Sequence, residues 1–282
     1  MEKPDPGEDG AQAPKAFVAE EENAPARIAL MLQRFAHYGG VEQFGWRLAE
    51  ALARKGYTVD FICARQESQA PEGVNVVSVG RYGGLRFFKY LWFLVSAERA
   101  RKKGRYDLCF SLAKTWTQDI IRIGGGPLQS FWKLSDQAWP AGGPRLWKQL
   151  TRRLRLDNWL TILVEKHFYR TTPCIVPISD TVREWVEDVY PHLKDAGANG
   201  QEVVTVYNCP DVSRFHPPDA AQRAQARQAL GVRPGTYALG LATTNFSLKG
   251  VGPLIQSLTL LPGDVELHIS GGRHAGRYLK LA

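Results

Sequence analysis

Cysteine and methionine are scarce in this sequence, and long apolar runs are missing. The 282 residues include four cysteines and two methionines, and no two cysteines form a CxxC pair. Such dispersed cysteines argue against a metal centre and are typical of reduced core residues in a cytosolic protein. The most apolar stretch, residues 87–97, contains Lys89 and is too short to span a bilayer.

Motifs of several enzyme classes are also missing. The sequence has no Ser-His-Asp set, no cluster of metal ligands and no GxxxxGK(S/T) loop. We therefore expect neither a metal nor a cofactor. Residues 1–25 lack the basic and apolar regions of a signal peptide, and their abundant Pro, Gly, Ala and Glu predict a disordered acidic tail.

Positive charge, by contrast, is in excess. The formal net charge is +8, which suggests an anionic partner such as nucleic acid, acidic lipid or a nucleotide. No RNA- or DNA-binding module is recognisable, and the aromatic residues form no stacking platform. Nucleic acid is therefore not expected as a partner.

The most informative pattern is an apolar run at residues 27–34 that leads into Gly39-Gly40. A helical pattern at 44–55 and a second apolar run at 57–63 follow, and this order predicts one βαβ unit of an α/β fold. Such a turn places free backbone N–H groups beside the carboxyl end of a buried strand, where phosphates or dense hydroxyls bind. A tight turn without a ligand is the alternative.

Later segments extend this pattern into two domains. Residues 26–208 are predicted to form a complete Rossmann-like domain, and 209–218 a proline-rich linker. A second α/β unit at 219–282 has too little sheet for a covered domain, so we expect it to be only begun, as in a truncated chain. Predicted strands lie at 74–79, 107–112, 119–123, 174–179, 203–208, 236–243 and 265–270; predicted helices lie at 85–103, 220–230 and 251–261, and another starts at Asp180.

Residues 127–170 combine tryptophans with basic side chains and contain few acidic residues. Tryptophan and arginine together suit a membrane interface, where cations meet anionic lipid. We interpret this segment as membrane-facing. The alternative is a solvated basic helix whose tryptophans turn into the domain. The tryptophans are Trp132, Trp139, Trp147 and Trp159.

Four segments carry a resemblance to a known family. They are Gly39-Gly40-Val-Glu-Gln with its helix, Ile178-Ser179 before a helix, residues 206–217, and Asn245-Phe-Ser-Leu-Lys249-Gly250. In this order they resemble the retaining family-4 glycosyltransferases, which implies the GT-B fold with two facing Rossmann-like domains. Residues 119–126 also look like a segment of enzymes that glucosylate the lipopolysaccharide inner core.

The resemblance implies a donor site in which Lys249 acts as a catalytic residue. A fixed cation and helical amides would stabilise the diphosphate as it leaves the sugar. The glycine pair of the first domain would face the same diphosphate. The implied donor and phosphate site consists of Gly39, Gly40, Thr243, Asn245, Lys249 and Gly250.

Acceptor candidates lie in the first domain. Asp119 is the second catalytic candidate, as a ligand of an acceptor hydroxyl, and a strand-capping aspartate is its alternative. Arg122 would pair with an anionic acceptor such as a phosphorylated sugar-lipid, and a structural salt bridge is its alternative. The remaining acceptor candidates are Gly124, Gly125, Gly126 and His37.

The function implied by the resemblance is sugar transfer, with retention, from a nucleotide sugar to a lipid-linked or lipopolysaccharide-core acceptor. The donor is expected to be a UDP-sugar, and the protein is expected to be cytoplasmic and peripheral to the inner membrane. Gly125 and Leu128 depart from the subfamily pattern, which has an acid and a histidine there. The family's pair of donor-binding glutamates lies beyond residue 282, so the alternative is a truncated, catalytically inactive, membrane-associated binding protein.

Overall fold

The computed structural model describes residues 25–281, except 138, 140, 211, 213, 214, 244, 262 and 272–274. All but the last residue of the expected N-terminal tail therefore lies outside the described residues. The strands are β1 (Arg27–Met31), β2 (Arg34–Phe35), β3 (Thr58–Cys63), β4 (Arg65–Gln66), β5 (Val74–Ser78), β6 (Leu108–Ser111), β7 (Ile120–Ile123), β8 (Cys174–Pro177), β9 (Glu202–Val203), β10 (Tyr237–Ala242) and β11 (Val265–Ser270). The helices are α1 (Gly40–Arg54), α2 (Arg86–Gly104), α3 (Leu128–Asp136), α4 (Gly143–Leu154), α5 (Leu156–Thr171), α6 (Asp180–Val189), α7 (Ala220–Ala229), α8 (Val251–Ser257) and α9 (Gly276–Leu279).

The main sheet has seven strands in the order β5-β3-β1-β6-β7-β8-β9. Every neighbouring pair is parallel, so the α/β class predicted from the sequence is confirmed. Because the strands are parallel, all their carboxyl ends lie at one edge of the sheet, and ligands of open α/β sheets bind at that edge.

Core residues cover both faces of the main sheet, as β1 shows. Ile28 and Leu30 of β1 pack in a cluster with residues of α1. The alternate residues Ala29 and Met31 pack with Phe93 of α2 on the other face. Since successive side chains of a strand point to opposite faces, the continuous apolar run of β1 can supply both clusters.

Helix α1 begins at Gly40, four residues before the predicted start at residue 44. Gly39 has φ of 90°, and its carbonyl accepts the N–H of Gln43 at 3.2 Å. The helical hydrogen bonds therefore start at the glycine turn itself. Glycine tolerates this positive φ without steric cost, which is why the chain can turn so sharply here.

Strand β9 is shorter than the predicted strand at 203–208. Beyond β9 the chain still donates hydrogen bonds to β8. The N–H groups of Val204 and Val206 donate to the carbonyls of Ile175 and Pro177 at 3.0 and 2.9 Å. Proline has no N–H to return a bond to the neighbouring strand. The regular ladder therefore ends at the Ile175–Val203 pair, before Pro177.

A second, two-stranded sheet pairs β10 with β11 in parallel. Its apolar cluster contains Phe246, Val251 and Ile255. Helix α8 ends at Ser257 and a 3-10 turn at Leu258–Leu260 follows, so the predicted helix at 251–261 is shorter than expected.

The cysteines differ in exposure along this fold. Cys63 and Cys109 are buried in strands, Cys174 is half-buried and Cys209 is exposed. Burial raises the pKa of the Cys63 thiol to about 11. In the described part of the chain, no group of side chains suited to metal binding comes together. None of the described helices has both the length and the apolar character needed to cross a bilayer.

Candidate functional site

A cavity of about 790 Å³ opens at the carboxyl edge of the main sheet. Its walls come from the segments that follow β1, β3, β5 and β6, and from the first turns of α1, α2 and α5. The charged residues that line it are Arg34, Glu42, Arg65, Arg81, Arg86, Lys89, Lys114 and Asp157. Six of these side chains are cationic and two are acidic, so the cavity is strongly positive.

The glycine turn lies beside this cavity and is held by charged side chains. Arg34 donates to the Glu42 carboxylate at 2.6 Å, and Tyr38 donates to Glu67 at 2.5 Å. A Cβ built on Gly39 would lie 2.6 Å from Glu42 Oε2. The chain needs glycine at this position because of the positive φ, and any larger residue would also displace the end of the Glu42 side chain.

The first turn of α1 offers backbone donors beside the cavity. The helix has no side-chain cap, so its first N–H groups are free of a side-chain partner. Gly40 is exposed, and a Cβ placed on it would meet no atom within 4 Å. A ligand can therefore approach the backbone at Gly40, whereas the Glu42 carboxylate occupies the space beside Gly39.

Arg122 is buried near the same edge of the sheet, at 8% exposure. Its guanidinium lies 3.9 Å from the centre of the Phe44 ring and donates to the side-chain oxygen of Asn208. Burial lowers the pKa of Arg122. Among the described residues no carboxylate pairs with it, so the structural salt bridge that the sequence left open is not formed there.

The three glycines after β7 lie at the same edge. A Cβ on Gly124 would be 3.9 Å from Val41 Cγ2, which places this loop next to the first turn of α1. Gly126 has φ of 71°, and a Cβ there would lie 3.2 Å from the Trp185 ring. Gly126 therefore has a structural reason to be glycine, whereas Gly125 has open space around it.

The two other acceptor candidates lie apart from this loop. Asp119 precedes β7, at the amino end of the sheet, and its carboxylate accepts the backbone N–H of Cys109 at 2.7 Å. This position is opposite to the edge that holds the glycine turn, and it favours the strand-capping alternative for Asp119. His37 is exposed, and its Nδ1 lies 2.7 Å from Ser68 Oγ.

One buried residue near the cavity was not singled out from the sequence. Glu165 of α5 is fully buried, forms an ion pair with Lys114 and accepts the N–H of Leu128 at 3.0 Å. Burial raises the pKa of Glu165. The sequence signal that could have identified Glu165 is its acidic side chain in the otherwise apolar stretch of α5. Through these two contacts Glu165 joins the loop after β6 to the start of α3.

The donor-site candidates of the second unit share one loop after β10. Asn245 Oδ1 accepts the N–H of Leu248 at 3.1 Å, and Thr243 Oγ1 accepts the N–H of Asn245 at 3.2 Å. Lys249 is exposed, and Gly250 precedes α8 with φ of 69°. The structure therefore brings Thr243, Asn245, Lys249 and Gly250 together, and their role in donor binding stays a prediction.

Comparison with known proteins identifies the class. A family model described as Glycosyltransferase Family 4 matches residues 38–214, which is more than half of the chain. The chain therefore belongs to the family-4 glycosyltransferases. No curated protein sequence matches it. The match covers every strand of the main sheet except β1 and most of the residues that line the cavity, and it ends before the loop that contains Lys249.

Several solved structures share the fold at low sequence identity. WaaG, a glycosyltransferase involved in lipopolysaccharide biosynthesis, has a TM-score of 0.70 at 16% identity, with 90% of this chain and 66% of WaaG covered. HepE of Anabaena, solved in complex with UDP-glucose, has a TM-score of 0.55 at 12% identity, with 90% and 63% covered. A glycosyltransferase from Rickettsia africae ESF-5 has a TM-score of 0.55 at 14% identity, with 92% and 64% covered. The chain thus spans less than two thirds of the length of these proteins, and its fold is of the GT-B type.

Proposed function

We propose that the protein transfers a sugar from a nucleotide-sugar donor, a UDP-sugar, to a lipid-linked or lipopolysaccharide-core acceptor, with retention of configuration. The observation that carries the proposal is the open cavity beside Gly39-Gly40, at the carboxyl edge of a sheet whose strands, except β1, lie within the family-4 match. Because the chain spans less than two thirds of WaaG, the activity of the whole protein is part of this proposal.

The two sheets take different parts in the proposed reaction. The loop after β10 binds the donor, and Lys249 stabilises the negative charge that develops on the leaving diphosphate. The acceptor lies in the cavity of the main sheet, with its reacting hydroxyl near Gly39-Gly40. Backbone N–H groups at the start of α1 complete the electrostatic environment on that side. Asp119 is left out of this scheme because it lies at the opposite edge of the main sheet.

We also propose that α4 and the start of α5 rest on an anionic membrane surface. Trp147 and Leu154 of α4 are 69% and 70% exposed, and Trp159 of α5 is 59% exposed. These fractions favour the membrane interpretation over tryptophans turned into the domain. Arg153 and Lys148 lie on the same helix as the exposed apolar residues, and such a combination suits the headgroup region of a bilayer.

Binding to the membrane surface has a direct functional reason in this scheme. An acceptor held in the bilayer presents its saccharide at the surface, and an enzyme that rests on the same surface does not need to extract the lipid. The apolar residues of this membrane-facing surface are Leu146, Trp147, Leu150, Leu154, Leu156, Trp159 and Leu163. The proposed location is therefore cytoplasmic and peripheral to the inner membrane.

The test of the proposed function is a transfer assay on the protein expressed from its complete natural reading frame. Lipopolysaccharide from strains with shortened cores serves as acceptor, and radiolabelled UDP-sugars serve as donors. We expect label to enter the acceptor from one UDP-sugar, and the anomeric configuration of the product to match that of the donor.

One outcome would replace the proposal with the second candidate function. If the protein binds anionic vesicles and the acceptor but transfers no sugar from any nucleotide donor, it is a binding protein that lacks turnover. The exposed apolar face of α4 would account for such a protein as well, because membrane binding does not require the donor loop.

A further inference from the structure

Three cations of the cavity differ from the others because none of the described carboxylates forms an ion pair with them. Arg34 pairs with Glu42, and Lys114 pairs with Glu165. Arg65 likewise pairs with a glutamate outside the cavity, Glu67. The cations without an ion pair to any described residue are Arg81, Arg86 and Lys89.

The nearest acidic side chain does not cancel this charge. Asp157 also lines the cavity, but its carboxylate is held by Arg155 in an ion pair. The charge of Arg86 helps to lower the pKa of Asp157, after the larger effect of the hydrogen bond from Arg155. Asp157 forms its ion pair with Arg155 and not with Arg86, so among the described residues the wall formed by α2 has more positive than negative charge.

Two of these cations lie where the local structure favours an anionic ligand. Arg86 and Lys89 are one helical turn apart at the start of α2, where the helix dipole is positive. The first turn of α2 contains no acidic residue, and the helix has no side-chain cap. An anion in the cavity would remove both the mutual repulsion of the cations and their repulsion by the dipole.

The loop that carries Arg81 is fixed to the body of α2. Trp92 donates through Nε1 to the Val79 carbonyl at 3.0 Å, and the Tyr82 ring packs edge-on against Trp92 with centroids 4.6 Å apart. Arg81 therefore extends from a braced loop rather than from a free one. A backbone held in this way loses less conformational entropy when the loop binds a ligand.

The size of the cavity favours a ligand as large as a saccharide over a simple ion. About 790 Å³ falls in the usual range for small-molecule sites and far exceeds the space that one phosphate group needs. The wall at the first turn of α1 contains Glu42, which forms an ion pair with Arg34. The wall on α2 contains Arg86 and Lys89, which form no ion pair with a described residue. The cavity thus has a place for hydroxyl groups and a separate place for anionic groups.

We propose that the acceptor is a saccharide that bears at least two phosphate groups, and that Arg81, Arg86 and Lys89 bind these groups. The identification of this ligand as the acceptor rests on the proposed function. The binding of the phosphate groups does not depend on sugar transfer. Arginine suits the role because its planar guanidinium donates two parallel hydrogen bonds to a phosphate.

The test compares ligands of falling charge by isothermal titration calorimetry. The probes are glucose 1,6-bisphosphate, glucose 6-phosphate and glucose, and the protein is the full chain without donor. We expect the bisphosphate to bind most tightly and its affinity to fall with added salt. The double variant Arg86→Gln/Lys89→Gln should raise its Kd by about 10- to 100-fold and leave the weak binding of glucose unchanged.

A matched control removes the same two charges from the other end of α2. Arg99 and Lys103 are exposed, and the variant Arg99→Gln/Lys103→Gln should bind the bisphosphate as the unchanged protein does. Equal affinity of the unchanged protein for all three probes would overturn the proposal. So would an equal loss in both double variants, since binding would then follow net charge alone.

Two further arms distinguish other sources of phosphate. If Arg86→Gln/Lys89→Gln weakens the binding of UDP-glucose and not that of the bisphosphate, the cations serve the donor and the proposal fails. If the variant loses only its binding to phosphatidylglycerol vesicles, the cations serve a lipid headgroup and the proposal also fails. Sugar transfer to an unphosphorylated acceptor at an undiminished rate would refute this inference and leave the proposed function intact.

Discussion

Replacing Lys249 by alanine is expected to lower the turnover number of sugar transfer by about 100- to 1,000-fold, with little change in the KM for the acceptor. The reason is that a fixed cation acts most strongly when charge develops on the leaving diphosphate, and single stabilising groups of this kind contribute effects of that size. Steady-state kinetics with UDP-sugar and acceptor, on protein from the complete reading frame, measures both constants.

The control for Lys249 is another exposed lysine of the second unit. Lys280 lies at the end of α9, and Lys280→Ala should keep full turnover. Lys249→Arg should recover part of the loss, because it restores the charge with a different shape. Full activity in Lys249→Ala would contradict the proposed role, and thermal melting would show whether the variant is folded.

The second large effect is expected on membrane binding. The double variant Trp147→Glu/Leu150→Glu should lower the partition coefficient onto phosphatidylglycerol vesicles by about 100-fold or more. Full burial of one such side chain is worth about 1.5–3 kcal/mol, and each glutamate adds a charge that anionic lipid repels. Both side chains are exposed, and α4 has no buried residue, so the fold should tolerate the change.

The matched control places the same two charges on exposed leucines elsewhere. Leu260 and Leu279 are exposed and lie outside the membrane-facing surface, and Leu260→Glu/Leu279→Glu should reduce vesicle binding far less. A separate variant, Arg145→Gln/Lys148→Gln, should weaken binding to anionic vesicles and leave binding to zwitterionic vesicles unchanged. Sedimentation with vesicles measures all of these, and unchanged binding of Trp147→Glu/Leu150→Glu would contradict the proposed surface.

Local pattern was enough to predict most of the main sheet. The apolar runs of β1 and β3, separated by a glycine turn and a helical repeat, allow only one arrangement that buries both strands. The position of Gly39 and its freedom to adopt positive φ follow from the same pattern. The predicted boundaries were less accurate because the end of a strand depends on its partner. Pro177 limits the pairing of β9, although it lies in another strand.

The direction of a strand explains the placement of Asp119. In a parallel sheet a residue that precedes its strand lies at the amino edge, and a residue that follows it lies at the carboxyl edge. Asp119 precedes β7, whereas Gly124 follows it. Strand direction alone therefore separates these two candidates. The resemblance treated them as one segment and could not do so.

Contacts between distant segments could not be predicted from the sequence. Arg122 meets Asn208, 86 residues away, and Lys114 meets Glu165, 51 residues away. The charged wall of α2 forms only in the folded chain, where the loop after β5, the first turn of α2 and the start of α5 line the same cavity. The net charge indicated an anionic ligand, and only the fold shows which cations form no ion pair with the described residues.

The measurement that tests the account most directly is a crystal structure of the protein with its acceptor bound. The account predicts acceptor density in the cavity of the main sheet, with the reacting hydroxyl beside Gly39-Gly40 and anionic groups on the wall that contains Arg86 and Lys89. An acceptor bound on another surface, in crystals of protein that still transfers sugar, would contradict it.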